Sequence, residues 1–383
     1  MNDLETVVRI LFTGPGAPTH QFPMVPTAQA LRAAGHEILF AVPKPLEPIR
    51  GAGFPIVEIG DGRSLKDSFE AFEGETMRFA RPEMTQDEIL ERAAAAFAHA
   101  SRSTVDDLLA TADGWGADLL VHDSCLASAQ LVGAKLGIPT ALQNFGVISG
   151  LSLAARLAGH FTDVYEAYGV AAPAESTALN VVPASLGGDS GGLRMRYLPF
   201  NGGGAVPAGL LRRSVRPRVA VTLGTVVTEV DGVHAIARLI EAAASVDAEF
   251  LLAVGGADLS DLGTLPDNVR PLPWTPLAEL LRVCDAVIHH GGSGSTLTGM
   301  QAGVPQLILP QGADSFAVAD ALAATGAGLR SASGDVDAAL LARLVADPEL
   351  RAGALRLRAE NDALPTPAAV VPEIEALVTA AAR

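Results

Sequence analysis

The sequence is poor in aromatic residues and in positive charge, and each shortage argues against a class of function. Aromatic residues make up 5% of the chain, too few for a surface that stacks nucleic-acid bases. The 27 Lys and Arg face 43 Asp and Glu, and the formal net charge of −16 repels polyanions. We therefore expect no nucleic-acid partner, and we expect any phosphate site to be local and built from backbone amides.

Long apolar runs and cysteine clusters are also lacking. No apolar stretch approaches the roughly 20 residues of a membrane span, and the start, MNDLETVVRILFTG, is acidic, unlike a cationic signal peptide. Cys125 and Cys284 lie far apart in apolar strand–loop contexts, which favour two buried free thiols over a disulfide. These features predict a cytoplasmic protein without a membrane span.

What the chain does have is 49% hydrophobic residues and a length that suits two domains. A strand at 7–12, a Pro/Gly-rich loop at 13–20, a helix at 23–34 and a strand at 36–42 form a crossover unit of a parallel sheet. Two later segments, DLLVHDSCLASAQLVGAKLGIPTAL and DAVIHHGGSGSTLTGMQAGVPQLIL, share one rhythm of strand, polar loop, helix, Gly-x-Pro and strand. The repeat predicts an α/β fold of two Rossmann-like, doubly wound parallel-sheet domains.

The stretch AVIHHGGSGST, residues 286–296, is the strongest candidate for a ligand site. A strand leads into three glycines and two serines, and a helix follows, which is the arrangement that points backbone N–H groups at an anion. An ordinary turn would need only one glycine. The spacing fits neither a P-loop nor the G-x-G-x-x-G fingerprint. We therefore predict that this stretch holds the diphosphate of an activated donor.

A second candidate site combines His20 with Asp123. Each follows a predicted strand in the first half of the chain, so the two could meet, and the carboxylate would orient the imidazole as a base. A structural role is the alternative for a lone histidine. No G-x-S-x-G motif accompanies them, which disfavours a hydrolase, and no metal cluster is visible. Asp335 and Asp337 have the spacing of a metal clamp, but their place before a helix favours N-capping.

Two further residues leave alternatives open. Trp274, in the proline-flanked loop LPWTPLAELL, is either a core residue or a platform for a nucleotide base, with the Leu277 backbone reading the base edge. Asp314 follows a strand about twenty residues after the glycine-rich stretch. Its carboxylate suits sugar hydroxyls and suits the cap of the next helix almost equally well.

These motifs resemble a known family. The segment HHGGSGSTLTGMQAGVPQLILPQGADSF, with LPWTPLAELL before it and VTLGT earlier, resembles the donor signature of the family 1 glycosyltransferases with the two-domain GT-B fold. THQFPMVPTAQALRAAGHEI is similar to their N-terminal motif, and RYLPFNGGGAVP to the connector of bacterial members that glycosylate polyketides and other natural products. The resemblance covers most of the chain and leaves only 60–112 and 150–195 unmatched.

The resemblance implies an inverting, metal-independent and cofactor-free transfer of a sugar from a nucleoside-diphosphate donor, with TDP favoured, to a natural-product aglycone. It makes His20 the base and Asp123 its partner, in an interdomain cleft. It implies an N-terminal acceptor domain at 1–203, a donor domain at 204–366, and a C-terminal helix at 367–383 that crosses back onto the first domain. The implied donor-binding residues are Gly224, Thr225, Trp274, Leu277, His290, Gly292, Ser293, Gly294, Ser295, Asp314 and Ser315.

Two details of the donor site follow from the same comparison. Ser315 stands where many members have Gln, which fits a donor that lacks some hydroxyls, such as a deoxysugar. The amides of 291–295, the helix dipole and a protonated His290 would stabilise the departing diphosphate.

The expected partners are thus a small-molecule acceptor and a nucleotide sugar, and a homodimer is left open. Two alternatives to the transferase remain. One is a nucleoside-diphosphate-sugar epimerase on the same fold, and the other is a non-catalytic relative that binds a nucleotide or a partner protein. The acceptor-like loops and the context of His20 argue against the first. The intact His20, Asp123 and His290 argue against the second.

Overall fold

The structure is a computed structural model, and it describes residues 7–74, 84–187, 191–212, 214–222, 236–254, 259–312 and 314–381. By its contacts the chain divides into two compact units. The first comprises Met1–Val182, Gly188–Arg196 and Leu364–Arg383, and the second comprises Pro183–Gly187 and Tyr197–Ala363. Gly224 and Thr225, two of the implied donor-binding residues, lie outside the described residues.

The first unit is built on a parallel sheet of seven strands in its described part. The strands are β1 (Arg9–Thr13), β2 (Glu37–Val42), β3 (Ile56–Glu58), β4 (Leu119–Asp123), β5 (Thr140–Asn144), β6 (Ser176–Asn180) and β7 (Leu193–Arg194). They are arranged in the order β3-β2-β1-β4-β5-β6-β7, with every pair parallel. The central strands β4 and β5 are buried along their whole length, as expected for a sheet covered by helices on both faces.

The helices of the first unit precede and connect these strands. They are α1 (Pro18–Gln21), α2 (Val25–Ala33), α3 (Glu47–Gly51), α4 (Leu65–Glu73), α5 (Gln86–Ser101), α6 (Val105–Trp115), α7 (Ala127–Leu136), α8 (Gly150–Gly159) and α9 (Thr162–Ala167). The sequence predicted a loop over 13–20 and a helix over 23–34, whereas Pro18–Gln21 already forms α1 and a 3-10 turn at Phe22–Met24 replaces the start of the predicted helix. A proline at the second position of that turn supplies no N–H, which explains the break.

The last helix of the chain also belongs to the first unit. α16 (Pro367–Ala381) packs against α2. The Glu375 carboxylate lies 2.8 Å from Nε2 of His36, whose Nδ1 accepts the Val8 N–H at 3.3 Å. The buried His36 thus connects the end of the chain to the entry of β1.

The second unit repeats the architecture with six parallel strands in its described part. They are β8 (Arg218–Thr222), β9 (Glu249–Leu252), β10 (Val269–Pro271), β11 (Ala286–His289), β12 (Gln306–Ile308) and β13 (Gly328–Arg330), in the order β10-β9-β8-β11-β12-β13. The helices are α10 (Ala237–Ala243), α11 (Leu277–Leu281), α12 (Ser293–Ala302), α13 (Ser315–Ala324), α14 (Ala338–Ala346) and α15 (Pro348–Asp362).

Both sheets change direction at a comparable point, which is where doubly wound folds place their sites. The strand order reverses between β1 and β4 in the first sheet and between β8 and β11 in the second. Ligands bind at the carboxyl ends of the strands at such a switch point. The prediction of two doubly wound parallel-sheet domains is therefore confirmed. Within the described residues, no helix has the length and apolar character needed to cross a membrane.

Candidate active site

The first switch point brings His20 and Asp123 together, although they are 103 residues apart in the sequence. His20 lies in α1, just after β1, and Asp123 is the last residue of β4. The Nδ1 atom of His20 is 3.1 Å from Oδ2 of Asp123, and the imidazole side chain is 18% exposed while the carboxylate is fully buried. Because an ionised carboxylate only accepts hydrogen bonds, Nδ1 carries the proton and Nε2 carries the lone pair.

Asp123 is itself held in place by the backbone around it. Its Oδ1 accepts the N–H of Cys125 at 2.7 Å. The neighbouring His122 donates Nδ1–H to the Asp123 carbonyl at 3.0 Å, and its Nε2 meets Ser176 Oγ at 2.8 Å. Burial lowers the pKa of His122, so this ring stays neutral and positions the strand end. A Cβ on Gly14 would lie 3.2 Å from Asp123 Cβ, which is a tight contact. The glycine therefore lets the Asp123 side chain pack against the loop after β1.

Two aromatic rings hold the imidazole of His20 from the side. The ring centroids of Phe97 and Phe145 lie 5.5 Å and 5.6 Å from that of His20, both in edge-to-face arrangements. Phe97 comes from α5 and Phe145 directly follows β5. Neither residue could be predicted from the sequence, because both lie far along the chain from His20 and each occupies an ordinary apolar position.

A pocket adjoins this site, and both Phe97 and Cys125 line it. Its apolar wall includes Ile59, Leu65, Phe97 and Leu126, and Asp61, Arg63 and Ser68 lie along its polar edge. Asp61 and Arg63 form an ion pair at 3.3 Å. The family resemblance leaves residues 60–112 unmatched, whereas the structure makes them much of the pocket wall.

At the second switch point, the two adjacent histidines have different surroundings. His289 is buried at the end of β11, where its Nδ1 accepts the Gly291 N–H at 3.1 Å and its Nε2 meets Gln306 Oε1 at 2.9 Å. His290 is half-buried, and its Nδ1 has no hydrogen-bond partner within the described part of the chain. His289 therefore stabilises the turn, whereas Nδ1 of His290 keeps its hydrogen-bonding capacity unused within the described residues.

Burial lowers the pKa of both rings, of His289 to about 3 and of His290 to about 4. At neutral pH the His290 imidazole in this structure is therefore neutral. Burial is the cause of this shift, and the expectation of a protonated His290 stays a prediction for the diphosphate complex. A neutral ring still offers one N–H to an anion.

The glycine-rich stretch ends at the start of α12. Ser293, Gly294 and Ser295 are the first three residues of this ten-residue helix, whose first N–H groups lack intrahelical partners. A Cβ on Gly292 would lie 2.6 Å from His290 Nε2, and a Cβ on Gly294 would meet no atom within 4 Å. Gly292 thus accommodates the imidazole, and Gly294 leaves open space at the helix start.

Asp314 and Ser315 follow β12 and face different partners. The Asp314 carboxylate accepts the Ser293 hydroxyl at 3.1 Å and makes no side-chain cap of α13. The capping alternative is therefore wrong, and the Asp314 side chain instead contacts Ser293 of the glycine-rich stretch. Ser315 is 3% exposed, and its hydroxyl accepts the N–H groups of Gln311 and Gly312, so the structure places it inside the turn rather than facing solvent.

Gln311, which the sequence analysis did not single out, lies in the same turn. Both polar atoms of its amide are buried and lack hydrogen-bond partners among the described residues. A buried amide without partners is costly unless water or a ligand satisfies it. The turn after β12 therefore presents unused donor and acceptor capacity.

Trp274 and Leu277 lie before and at the start of α11. Trp274 is 46% exposed, so the alternative of a core residue is wrong. Its Nε1–H donates to the Gly203 carbonyl at 3.2 Å, which holds one edge of the ring and leaves a large part of it accessible. Leu277 is the first residue of α11, and the next N–H, of Ala278, donates to Asn201 Oδ1 at 2.9 Å.

Two other expectations are settled by local contacts. Asp337 caps α14 by accepting the Leu340 N–H at 2.8 Å, as its position before a helix predicted. Cys125 and Cys284 are both buried free thiols, which confirms that prediction. Among the described residues, the fold also brings Cys125 close to His20 and Asp123, a grouping that no spacing in the sequence indicated.

Comparison with known proteins identifies the family. The family described as Erythromycin biosynthesis protein CIII-like, N-terminal domain, matches residues 29–224, and the corresponding C-terminal domain matches residues 237–377. The elloramycin glycosyltransferase ElmGT of Streptomyces olivaceus is 36% identical over 370 residues, with 95% of this chain and 96% of ElmGT covered.

Solved structures give the same result. The glycosyltransferase SnogD from Streptomyces nogalater superimposes with a TM-score of 0.85 at 35% identity, over 97% of this chain and 100% of SnogD. The spinosyn rhamnosyltransferase SpnG, complexed with thymidine diphosphate, gives a TM-score of 0.83 at 30% identity, over 96% of this chain and 100% of SpnG. The chain is thus a glycosyltransferase and belongs to the erythromycin biosynthesis protein CIII-like family, the bacterial natural-product group that its motifs predicted.

Proposed function

We propose that this glycosyltransferase moves a deoxysugar from a TDP-linked donor to a natural-product aglycone, with inversion at the anomeric carbon. The His20–Asp123 hydrogen bond carries the proposal, because it prepares a base at the switch point of the first sheet. Its relatives support the substrate classes. ElmGT is named for elloramycin, and SpnG, a transferase of the deoxysugar rhamnose, has been solved with thymidine diphosphate and with the spinosyn aglycone.

His20 acts on the acceptor. Asp123 accepts the Nδ1 proton and so keeps the Nε2 lone pair available, and Nε2 takes the proton of the acceptor hydroxyl. The freed oxygen forms its bond to the anomeric carbon while the bond from that carbon to the diphosphate oxygen breaks. TDP leaves with the electron pair, and the imidazolium that forms is stabilised by the buried Asp123 carboxylate.

The pocket that Phe97 and Cys125 line is small, so we assign it to one edge of the acceptor site. Its wall of Ile59, Leu65, Phe97 and Leu126 would give that edge of an aglycone aliphatic and aromatic contacts. Its polar edge, with Ser68 and the Asp61–Arg63 pair, would orient the hydroxyl groups of the acceptor.

The start of α12 acts on the leaving group. The amides of Ser293, Gly294 and Ser295 and the positive end of the helix dipole stabilise the developing diphosphate charge. The neutral His290 adds one N–H from a ring whose Nδ1 has no partner within the described residues. Gly224 and Thr225 would extend this set of contacts. A backbone site of this kind needs no lysine cluster, which fits a chain of net charge −16.

The remaining candidate donor-binding residues contact the nucleoside and the sugar. The accessible face of Trp274 is a platform for the base, with the Leu277 backbone at the base edge. Asp314, already aligned by Ser293, would accept hydrogen bonds from sugar hydroxyls, and Gln311 would satisfy its amide on the same sugar. Ser315 is too short to add a contact of its own, which favours a sugar with fewer hydroxyls.

Two experiments test this function. Calorimetric titration of the purified protein with TDP, with EDTA present, should give saturable binding, and its absence would refute the donor site. A mass-spectrometric screen of TDP-deoxysugars against aromatic and macrocyclic aglycones should then yield a glycosylated product. NMR of that product should show inverted anomeric configuration, and retention would contradict the role of His20.

A further inference from the structure

Three different metal-binding atoms meet at the first switch point. Among the residues that the structure describes, a ring nitrogen of His20, a carboxylate oxygen of Asp123 and Sγ of Cys125 all lie within 4.8 Å of one another. Asp123 and Cys125 are buried, and His20 is partly exposed. Nothing in the proposed transfer uses the Cys125 thiol.

The identity of the three atoms points to a particular class of ion. Imidazole nitrogen, carboxylate oxygen and thiolate sulfur together suit Zn²⁺, whereas a magnesium or calcium site would use oxygen atoms. With bonds of about 2.0–2.3 Å, the ligand atoms of a tetrahedral zinc site lie about 3.3–3.8 Å apart. His20 Nδ1 and Asp123 Oδ2 are already 3.1 Å apart. Cys125 Sγ lies within 4.8 Å of the other two ligand atoms, so it would have to approach them by at most about 1 Å to reach that spacing.

The surroundings support the same ion. Ser124 Oγ lies 3.8 Å from Cys125 Sγ and can stabilise a thiolate, and the Cys125 N–H fixes Asp123 Oδ1 at 2.7 Å. Cys125 also lines the pocket that adjoins this site, which gives an ion an entry path. The pocket can supply water as the fourth ligand.

We propose that His20, Asp123 and Cys125 form an inhibitory Zn²⁺ site that competes with the base. Binding places Zn²⁺ on Nδ1 of His20, so the proton of the neutral imidazole moves to Nε2. The thiol loses its proton to solvent as the sulfur–zinc bond forms, and no oxidation or reduction takes place. With Nε2 protonated and Nδ1 bound to zinc, His20 cannot accept the acceptor's proton. The inhibition rests on the proposed role of His20, whereas the binding of the ion does not.

Binding is tested without any reaction, with Co²⁺ as a spectroscopic probe for zinc. Titration of the metal-free protein with Co²⁺ should give a thiolate-to-cobalt charge-transfer band that saturates at one ion per chain and disappears when Zn²⁺ is added. Cys125→Ser and Cys125→Ala should each lose the band and bind Zn²⁺ at least about tenfold more weakly, as measured against a chromophoric chelator. The matched control is Cys284→Ser, which removes the other buried thiol and should keep both.

Inhibition is tested by turnover at saturating donor, with each variant's Zn²⁺ response normalised to its own rate without metal. Wild type and Cys284→Ser should be inhibited at the Zn²⁺ concentrations that fill the site, and Cys125→Ser should need at least about tenfold more. A missing band in wild type, or a band that survives in both Cys125 variants, would overturn the site. Binding without inhibition would overturn the competition with His20, and absence of turnover in every protein would count against the proposed function alone.

Discussion

The two sheets have the same topology at their switch points, but they present different chemistry there. After β4 the chain passes through 124–126 into α7 without a glycine, and the group that β4 itself contributes at its end is the Asp123 side chain. After β11 the chain passes through two glycines into α12, and the features that reach the site are backbone N–H groups. The loop that follows each strand, rather than the strand order, decides what each sheet can do.

The difference fits the two roles that we propose for these switch points. A base must hold one proton in one place, and a buried carboxylate fixes a histidine tautomer well. A diphosphate spreads its charge over several oxygens, and a set of amides at a helix start matches that better than one side chain does. Substitutions in the first unit should therefore change the chemical step, and those in the second should change donor affinity.

The largest expected effect is that of His20→Ala. Removing the base should lower kcat about 10³-fold for an acceptor with an aliphatic hydroxyl, while the Kd for TDP stays unchanged. Steady-state kinetics and TDP calorimetry measure the two quantities. His160→Ala, a histidine paired with Glu91 on the same unit, is the control and should behave as wild type. Near-normal turnover would remove His20 from the mechanism.

A smaller loss of kcat, about 10²-fold, is expected for Asp123→Asn. Because the Cys125 N–H requires an acceptor at Oδ1, the new amide nitrogen must face His20 Nδ1. This nitrogen is a donor, so it forces the proton of His20 onto Nε2 and disables the base. The pH profile of kcat and NMR of the imidazole tautomer report the change. A wild-type tautomer with normal kcat would contradict the orienting role of Asp123.

In the second unit, Gly294→Ala should weaken the binding of the donor and leave the other properties of the protein unchanged. The added methyl meets no protein atom within 4 Å, so the thermal stability should hold or rise. We expect the Kd for TDP to increase about tenfold, equivalent to about 1.4 kcal/mol, with kcat at saturating donor within a few-fold of wild type. Gly114→Ala, another helical glycine with open space, is the control. Unchanged TDP affinity would place the diphosphate elsewhere.

The smallest effect concerns pH and stability in the second unit. Burial lowers the pKa of His290 from 6.5 to about 4, so the unfolded chain binds a proton that the folded chain does not as pH falls below 6.5. Burial of the neutral His290 ring therefore leaves the free energy of unfolding unchanged above pH 6.5 and lowers it progressively as the pH falls from 6.5 to 4. Calorimetry of His290→Asn should therefore show a fall in Tm between pH 7 and 5 that is smaller than that of wild type by about 2–4 °C. An identical fall would show that the His290 ring titrates normally.

Much of this arrangement could be predicted from the sequence, because parallel strands with short connections bring their carboxyl ends together. That rule placed His20 near Asp123 and the glycine-rich stretch before a helix. It did not separate His289 from His290, since a sequence shows two histidines but not which one Gln306 meets.

The residues that flank His20 could not be predicted from the rule for parallel strands. Phe97 and Phe145 reach His20 from elements whose lateral packing no local pattern encodes. Likewise, the buried hydroxyl of Ser315 depends on the shape of one turn rather than on its type of residue. Cys125 joined the cluster for a similar reason, since two residues beyond a strand end a side chain can face either way.

The C-terminal helix has a practical consequence for protein engineering. Residues 364–381 pack with the first unit although they follow the whole of the second in the chain. A chimera that exchanges the second unit between relatives should therefore be spliced twice, near Arg196–Tyr197 and near Ala363–Leu364. A single splice near Arg196–Tyr197 would pair α2 and the following His36 with a foreign helix, and the contact of His36 with residue 375 would then depend on the relative's sequence. The first unit is thus encoded by both ends of the gene.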